Sequence, residues 1–412
     1  MMGTTAIIGT DSPIGLTLVR ELGEHGVPVH AIGSGKNALG GQSRHAAKFS
    51  VSPAGPIKDW LPRFAAENAI DVVMGVSEGT LAQLGPLRGT IPGCTIIAPA
   101  PEKLALVLDK RATLAAAARV GIDAPQSWQP EAGGDHAALA GQIPYPCAIK
   151  WADPIAVMDR LQTANLPFEK IEYASNPAAL LAILRKYDTI GVYPLVQEYA
   201  GGYGLGQMVN MHKGQATLRF QHRRLREWPP SGGVSTYCGS LPLDQHAEQM
   251  ALSEVLLREI GWEGPAMVEY RFDPVTARYC LMEINGRFWG SIPLAYHCRA
   301  HFAWESWACA MGVEAIAQPA IQHRRARYIV PDTKHLLAQM VSAKVSTADK
   351  LSLMSGFIAR FFDPATKYYV WSWRDPRPFL SDMAAMFKKA LGRQNTAAEP
   401  SPHLQPAEGM SP

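Results

Sequence analysis

Two glutamates and an asparagine two-thirds of the way along the chain are the side chains best placed to do chemistry. Ala266 to Phe272 alternates, with Ala266, Val268, Tyr270 and Phe272 on one side and Met267, Glu269 and Arg271 on the other. A second alternating run follows Asp273-Pro274. In it Cys280, Met282 and Ile284 share a side, leaving Leu281, Glu283 and Asn285 opposite. If the two runs pair as a hairpin with matched apolar faces, a turn centred on Thr276 puts Glu269 directly across from Glu283, with Asn285 two residues further on. Like charges opposed across a ladder are destabilising, so the pattern calls for a cation between them. Oxygen-only ligands without His or Cys favour Mg2+ or Mn2+ over zinc, and magnesium usually arrives already bound to substrate phosphates. The alternative reading is a solvated sheet face.

A second feature is Arg223-Arg224-Leu225-Arg226, followed by the small-residue stretch Pro229 to Thr236. Three arginines in four residues can clamp an acidic substrate, and Arg224 is the one assigned that role; an ordinary hairpin loop is the plain alternative. Near the amino terminus, Gly9-Thr10-Asp11-Ser12-Pro13-Ile14-Gly15 has only one pair of glycines six apart, with Pro13 between them. This falls short of a dinucleotide fingerprint and suits a substrate-binding or structural turn. His297, His301, Trp304 and Trp307 sit at helical spacing and read as core and interface residues.

The elements that must position these groups follow from the punctuation of the chain. Short apolar runs at Thr5 to Gly9, Val27 to Ile32, Asp71 to Val76 and Cys94 to Ala98 alternate with helical segments, the pattern of a small parallel α/β domain over residues 1–100. An Ala-rich helix is expected over Glu102 to Val120, then strands at Tyr145 to Trp151, Lys170 to Tyr173 and Tyr193 to Tyr199, with a helix at Pro177 to Lys186. These compose a mixed α+β first lobe over 101–196. A second lobe over 197–315 carries hairpins turning at Lys213-Gly214 and Asp273-Pro274 and a helix at Gln245 to Ile260. Residues 316–391 read as a helical, basic-aromatic extension, and 392–412 as a disordered tail rich in Pro, Ser, Ala and Glu.

Composition bounds the rest. With 39 Lys+Arg against 36 Asp+Glu and a net charge of +3, a general nucleic-acid-binding surface is not expected. Six cysteines without a C-x-x-C spacing argue against a zinc ribbon or a secreted disulfide framework and point to a reducing cytoplasm. Neither a signal peptide nor an apolar run of membrane-spanning length is present, so no membrane partner is expected.

The run Glu283-Ile284-Asn285-Gly286-Arg287, preceded by an acid at Glu269, resembles the metal-binding end of the ATP-grasp superfamily, where an acid is followed by Glu-x-Asn and usually Pro-Arg. Lys110, Lys150 and Gln197-Glu198-Tyr199 before a glycine-rich stretch resemble, in the same order, that family's two phosphate lysines and its adenine hinge. The resemblance runs from about residue 100 to 310, and the amino-terminal α/β domain is similar to the one preceding ATP-grasp domains. It implies that Lys110 and Lys150 neutralise the phosphates of ATP, that Gln197, Glu198 and Tyr199 meet adenine, and that Glu269, Glu283 and Asn285 hold Mg2+ (or Mn2+). Arg287 would bind the phosphoryl group in transfer.

The carboxylate-amine ligase type implies an amide formed from a small-molecule carboxylate and an amine through an acyl phosphate, with a homo-oligomer compatible. Three positions depart from the pattern. Trp151-Ala152-Asp153-Pro154 stands where many relatives carry a glycine-rich phosphate loop, Leu205 where an acid often meets ribose, and Gly286 where proline is usual. A non-catalytic ATP-binding protein of the same fold and an NAD(P)-linked oxidoreductase are the other readings.

Overall fold

The computed structural model of the chain describes residues 2–152, 154–169, 171–229, 233–313, 318–343 and 345–392. The expected tail from 393 onward, and residues 230–232 of the small-residue stretch after the arginines, lie outside the described residues.

A parallel five-stranded sheet opens the chain. Its strands Thr5–Ile8, Val29–Gly33, Ala46–Val51, Val72–Gly75 and Thr95–Ile97 lie in the order third, second, first, fourth, fifth. The three central strands are buried at every residue, as apolar runs covered on both faces should be. Ala46–Val51 has no counterpart in the sequence expectation. It is an edge strand without a fully buried residue, so no apolar run marks it. The Gly9 to Gly15 turn has a packing explanation: Gly9 takes φ +96°, and a Cβ on Gly15 would lie 2.6 Å from Thr10 Cα, where the helix Pro13–Glu24 approaches the strand end.

The expected Ala-rich helix is two helices, Pro101–Leu108 and Lys110–Arg119. Asp109 breaks it by leaving helical geometry and accepting the N–H groups of Arg111 (2.8 Å) and Ala112 (3.2 Å), so Lys110 opens the second helix. A four-stranded antiparallel sheet follows, in the order Ser127–Trp128, Leu195–Glu198, Cys147–Lys150, Glu172–Ala174, with a core of its own around Ile149, Leu180 and Val196.

The largest sheet has seven strands, ordered Arg278–Asn285, Gly264–Asp273, Tyr203–His212, Gln215–Trp228, Val234–Ser240, Arg325–Arg327 and Thr366–Tyr368. One face packs on Lys110–Arg119 and Ala247–Ile260 around Trp262 and Tyr270. The other shares a core with the amino-terminal sheet and with Ile292–His297 and Phe302–Ala310, where His297, His301, Trp304 and Trp307 pack.

The carboxy-terminal extension is not purely helical, since its strands Arg325–Arg327 and Thr366–Tyr368 complete the sheet edge. Arg-Ala-Arg has no strand signature. It is held by Asp332, fully buried, whose carboxylate takes Arg226 at 2.6 and 2.7 Å, also pairs with Arg327, and accepts the Thr236 hydroxyl at 3.2 Å. A second buried cluster docks the extension on the first domain: Arg20 donates to Asp375 at 2.9 Å and to the Val370 carbonyl at 2.8 Å, and the Ser43 hydroxyl donates to Asp375 at 2.7 Å. Among the described residues no helix is long and apolar enough to cross a membrane, and all six cysteines are free.

Removing the buried counter-charge should unfold this edge. Asp332→Ala leaves two guanidiniums unpaired and should cost roughly 3–5 kcal/mol in urea denaturation, whereas Arg63→Ala, at a solvent-exposed pair, should leave the midpoint in place. A loss at Asp332 no larger than at Arg63 would show that the network does not hold the sheet edge.

Candidate functional site

The hairpin that carries the acids begins as the sequence indicates. Glu269 pairs with Glu283, Val268 with Ile284 and Met267 with Asn285. Beyond Glu269 the register slips by one at a β-bulge, so Tyr270 pairs with Leu281 and Asp273 with Arg278. The expected faces are therefore corrected at two residues: Leu281 joins Ile284 in the core beneath the sheet rather than sharing the face of Glu283, and Cys280, opposite Arg271, leaves the side of Ile284. The extra residue of the bulge supplies the turn of the strand that the strict alternation lacks.

On the cleft face, Asn285 Nδ2 donates to Glu283 Oε1 at 3.0 Å, and Glu269 is joined by Arg224 from the strand Gln215–Trp228. Arg224 also donates to the Gly233 carbonyl at 3.0 Å and lies 3.7 Å from Glu227. Two register shifts in this strand, around Leu225 and before Glu227, bring Arg224 and Glu227 to one face and turn Arg226 to the other, toward Asp332. Arg223 lies over the Tyr203 ring. The three arginines expected to act as one clamp thus part company: ordinary alternation puts Arg223 opposite Arg224, and the shifts beyond Arg224 turn Arg226 away.

Lys110, at the head of its helix, acts on Glu283, and Lys150, at the end of the strand Cys147–Lys150, acts on both acids. Burial alone would raise the Glu283 carboxyl. The Asn285 hydrogen bond and the charges of Lys110, Arg224 and Lys150 outweigh it and hold Glu283 below its ordinary value. Glu283 offers surface to solvent yet is closely surrounded by protein, as a group on a cleft wall is. Burial, then the like charge of Lys110, push the Lys150 ammonium down to about 8 against the pull of Glu283 and Glu269. Burial likewise lowers Arg224, but Glu269, Glu227 and Glu283 together raise it above the ordinary arginine value.

Arg287 lies just beyond the hairpin and donates to Glu78 Oε1 at 3.1 Å, at the head of the helix Glu78–Leu84. This ion pair joins the end of the hairpin to the amino-terminal domain. Gly286 has a steric reason: a Cβ there would fall 2.5 Å from Cη2 of the buried Trp262, so a larger residue cannot occupy this turn.

Gln197, Glu198 and Tyr199 sit on the smaller sheet and are not part of the lysine and carboxylate cluster. Gln197 is buried and donates to Ser127 Oγ at 2.7 Å; Tyr199 is exposed and meets Tyr173 edge to face at 5.9 Å. Glu198 is tied to Arg278 at 2.5 Å, which holds its carboxyl below the ordinary value, and accepts the Gln126 N–H at 3.2 Å. Since Arg278 opens the strand that carries Glu283, this ion pair links that strand to Leu195–Glu198.

Six of the ten residues singled out from the sequence, Lys110, Lys150, Arg224, Glu269, Glu283 and Asn285, therefore interact with one another. Glu227 and Arg271 were missed. Arg271 stands 3.7 Å from Glu227, completing the arginine and glutamate wall. A bulge leaves no trace in the alternation of residue types, so nothing in the sequence marks Glu227 as facing Arg224.

Among the described residues no three His, Cys, Asp or Glu side chains gather as a metal site. What is present is two carboxylates and an amide, an oxygen set too small to enclose an ion. It suits a magnesium whose remaining ligands come from phosphate and water.

Comparison with known proteins separates sequence from fold. No family model matches the chain, and no curated relative does. Among solved structures, the ADP complex of an N5-carboxyaminoimidazole ribonucleotide synthetase is 13% identical with a TM-score of 0.62, covering 83% of this chain and 86% of that one. N5-carboxyaminoimidazole synthetase from Staphylococcus aureus complexed with ADP is 14% identical at 0.62, covering 82% and 85%. The biotin carboxylase domain of 2-oxoglutarate carboxylase from Hydrogenobacter thermophilus, in complex with MgADP, ADP and bicarbonate, is 15% identical at 0.60, covering 79% and 73%. With its parallel amino-terminal sheet and larger antiparallel sheet arranged as in these enzymes, the chain has the ATP-grasp fold.

Proposed function

We propose that the chain is an ATP-dependent ligase that joins a small-molecule carboxylate to an amine. The observation that carries this reading is the convergence of Lys110, Lys150 and Arg224 on the acidic pair Glu269 and Glu283 with Asn285 beside them. Four of the cleft side chains, Lys110, Lys150, Arg224 and Arg271, are cationic, against three carboxylates, Glu227, Glu269 and Glu283, so a polyanion and an acid can be held together there.

In this reading Lys110 and Lys150 draw charge from the phosphates of ATP, and Gln197, Glu198 and Tyr199 border the adenine. Glu269, Glu283 and Asn285 would hold magnesium, which would supply charge neutralisation to the phosphates when bound. Arg224 orients the carboxylate, one oxygen of which attacks the γ-phosphorus as ADP departs. Arg287 holds the transferring group, and exchanging Glu78 for that phosphoryl group frees its guanidinium. The resulting acyl phosphate is opened by the amine, which forms the amide, loses a proton and releases phosphate. The protein's part is position and charge rather than covalent chemistry.

Glu283→Gln keeps the shape and removes one acidic ligand. Magnesium-dependent ADP release, assayed over pooled acids and amines with mass detection of products, should fall by roughly two to three orders of magnitude while circular dichroism is unchanged. Undiminished turnover would remove Glu283 from the metal site. An ATP-binding protein without catalysis would bind nucleotide yet release no ADP with any acid.

The Lys150 shift predicts a pH dependence of nucleotide binding. Folding lowers this ammonium from 10.5 to about 8, so the ligand-free protein sheds the proton above that pH, whereas a bound polyanion favours the charged form. Affinity should be full below pH 8 and weaken, by up to about tenfold per unit, as pH rises past it. Calorimetry in buffers of different ionisation enthalpy should show proton uptake on binding. Lys150→Met should flatten the profile; an unchanged slope in that variant would assign the titration elsewhere. The unfolded chain holds this proton up to 10.5, so stability of the free protein should rise with pH between those two values.

A further inference from the structure

Large apolar side chains on a helix ordinarily face a core, but the carboxy-terminal extension exposes a row of them. The helix Thr347–Ala359 has no buried residue. Leu351, Met354 and Ile358, with Phe362 just past its end, recur at one-stripe helical spacing and are 39–82% exposed. The neighbouring helix Ile329–Val341 adds Leu337 and Val341, one turn apart, at 58% and 84%. Rotation of the helix does not account for this. Its inner edge is fixed by Phe357, whose ring lies 3.7 Å from the buried Arg327 guanidinium and whose carbonyl accepts from Arg327 at 3.2 Å. With that edge anchored, the stripe faces outward, and a contiguous apolar patch of this kind marks a contact surface.

The charge around the stripe says what it contacts. Residues 318–392 contain twelve Lys and Arg against five Asp, an excess of seven in a chain of net charge +3, which leaves the remaining residues at −4. Two of the five acids, Asp332 and Asp375, are buried in internal ion pairs, as is one of the twelve cations, Arg327. A third, Asp363, is paired with Arg325 at 3.2 Å. Lys334 is exposed one turn before Leu337, Lys350 precedes Leu351 on the stripe helix, and further along the same segment exposed Trp373 and Leu380 stand beside exposed Arg374 and Arg377. Apolar and aromatic side chains interspersed with cations, and few available acids, form the surface chemistry that settles at a negatively charged lipid interface.

We infer that the helical pair Ile329–Val341 and Thr347–Ala359 is the docking surface for an anionic lipid bilayer, on which the chain rests as a peripheral protein. The stripe enters the boundary between headgroups and acyl chains, and the surrounding lysines and arginines meet the headgroups. Each helix is 13 residues, too short to span, so the mode is to lie on the surface, which the expectation of no membrane partner, drawn from spanning length, did not address. A second copy of the chain fits this face less well, because a symmetric contact would press two basic surfaces together. The inference is independent of the chemistry proposed for the cleft.

Co-sedimentation of the full chain with vesicles provides the test. Binding is expected to vesicles of phosphatidylcholine with phosphatidylglycerol, not to phosphatidylcholine alone, with release as salt shortens the screening length. The double variant Ile358→Asp, Phe362→Asp and the charge reversal Lys334→Glu, Lys350→Glu should each weaken vesicle binding about tenfold or more, with melting temperature and nucleotide affinity unchanged. Failure to sediment with the anionic vesicles, or full binding by both variants, would overturn the inference. So would light scattering that shows a dimer which the aspartate variant dissociates, since a second copy would then cover the stripe.

Discussion

Two carboxylates set side by side on a sheet repel one another, and the rest of this molecule is arranged around that fact. Glu269 and Glu283 are directly paired across the hairpin. They are tolerable because cations arrive from three separate parts of the chain: Lys110 from a helix head, Lys150 from the small sheet, and Arg224 from the large one. The balance remains incomplete for the lysine, which burial and its neighbour Lys110 hold at about 8. A cleft with its cations under strain of this kind favours a further anion, and so the electrostatics and the nucleotide reading support each other.

Two irregularities in otherwise regular strands decide which side chains share the cleft. The bulge after Glu269 preserves the acidic pair while returning Leu281 to the core. The shifts around Leu225 and before Glu227 send Arg224 and Glu227 inward and Arg226 outward to Asp332. Each bulge thus serves the site and the core at once, since a strand that kept strict alternation could not satisfy both.

The amino-terminal sheet and the carboxy-terminal extension are not appendages to this arrangement. Glu78 from the former meets Arg287 at the cleft margin, and Arg20 from the former meets Asp375 from the latter in a buried pair. The extension in turn supplies two strands to the large sheet and the carboxylate that holds Arg226. One side of the extension is therefore committed to the fold, and its other side carries the exposed apolar stripe.

Local composition was enough to locate the elements that matter. Alternation predicted the acidic hairpin and the pairing of Glu269 with Glu283, and the buried parallel strands showed as apolar runs, because both signals depend on neighbours within a few residues. The order of Lys110, Lys150, Glu269, Glu283 and Asn285 along the chain resembled a known superfamily closely enough to imply the ATP-grasp fold, which the structure has. What the chain order does not contain is the convergence of lysines 40 positions apart on acids more than 100 positions beyond them. The edge strand Ala46–Val51, the break at Asp109, the strand Arg325–Arg327 and the inward turn of Glu227 were likewise illegible. Each is decided by a partner distant in sequence or by a one-residue slip that leaves composition untouched, and only the folded chain brings those partners together.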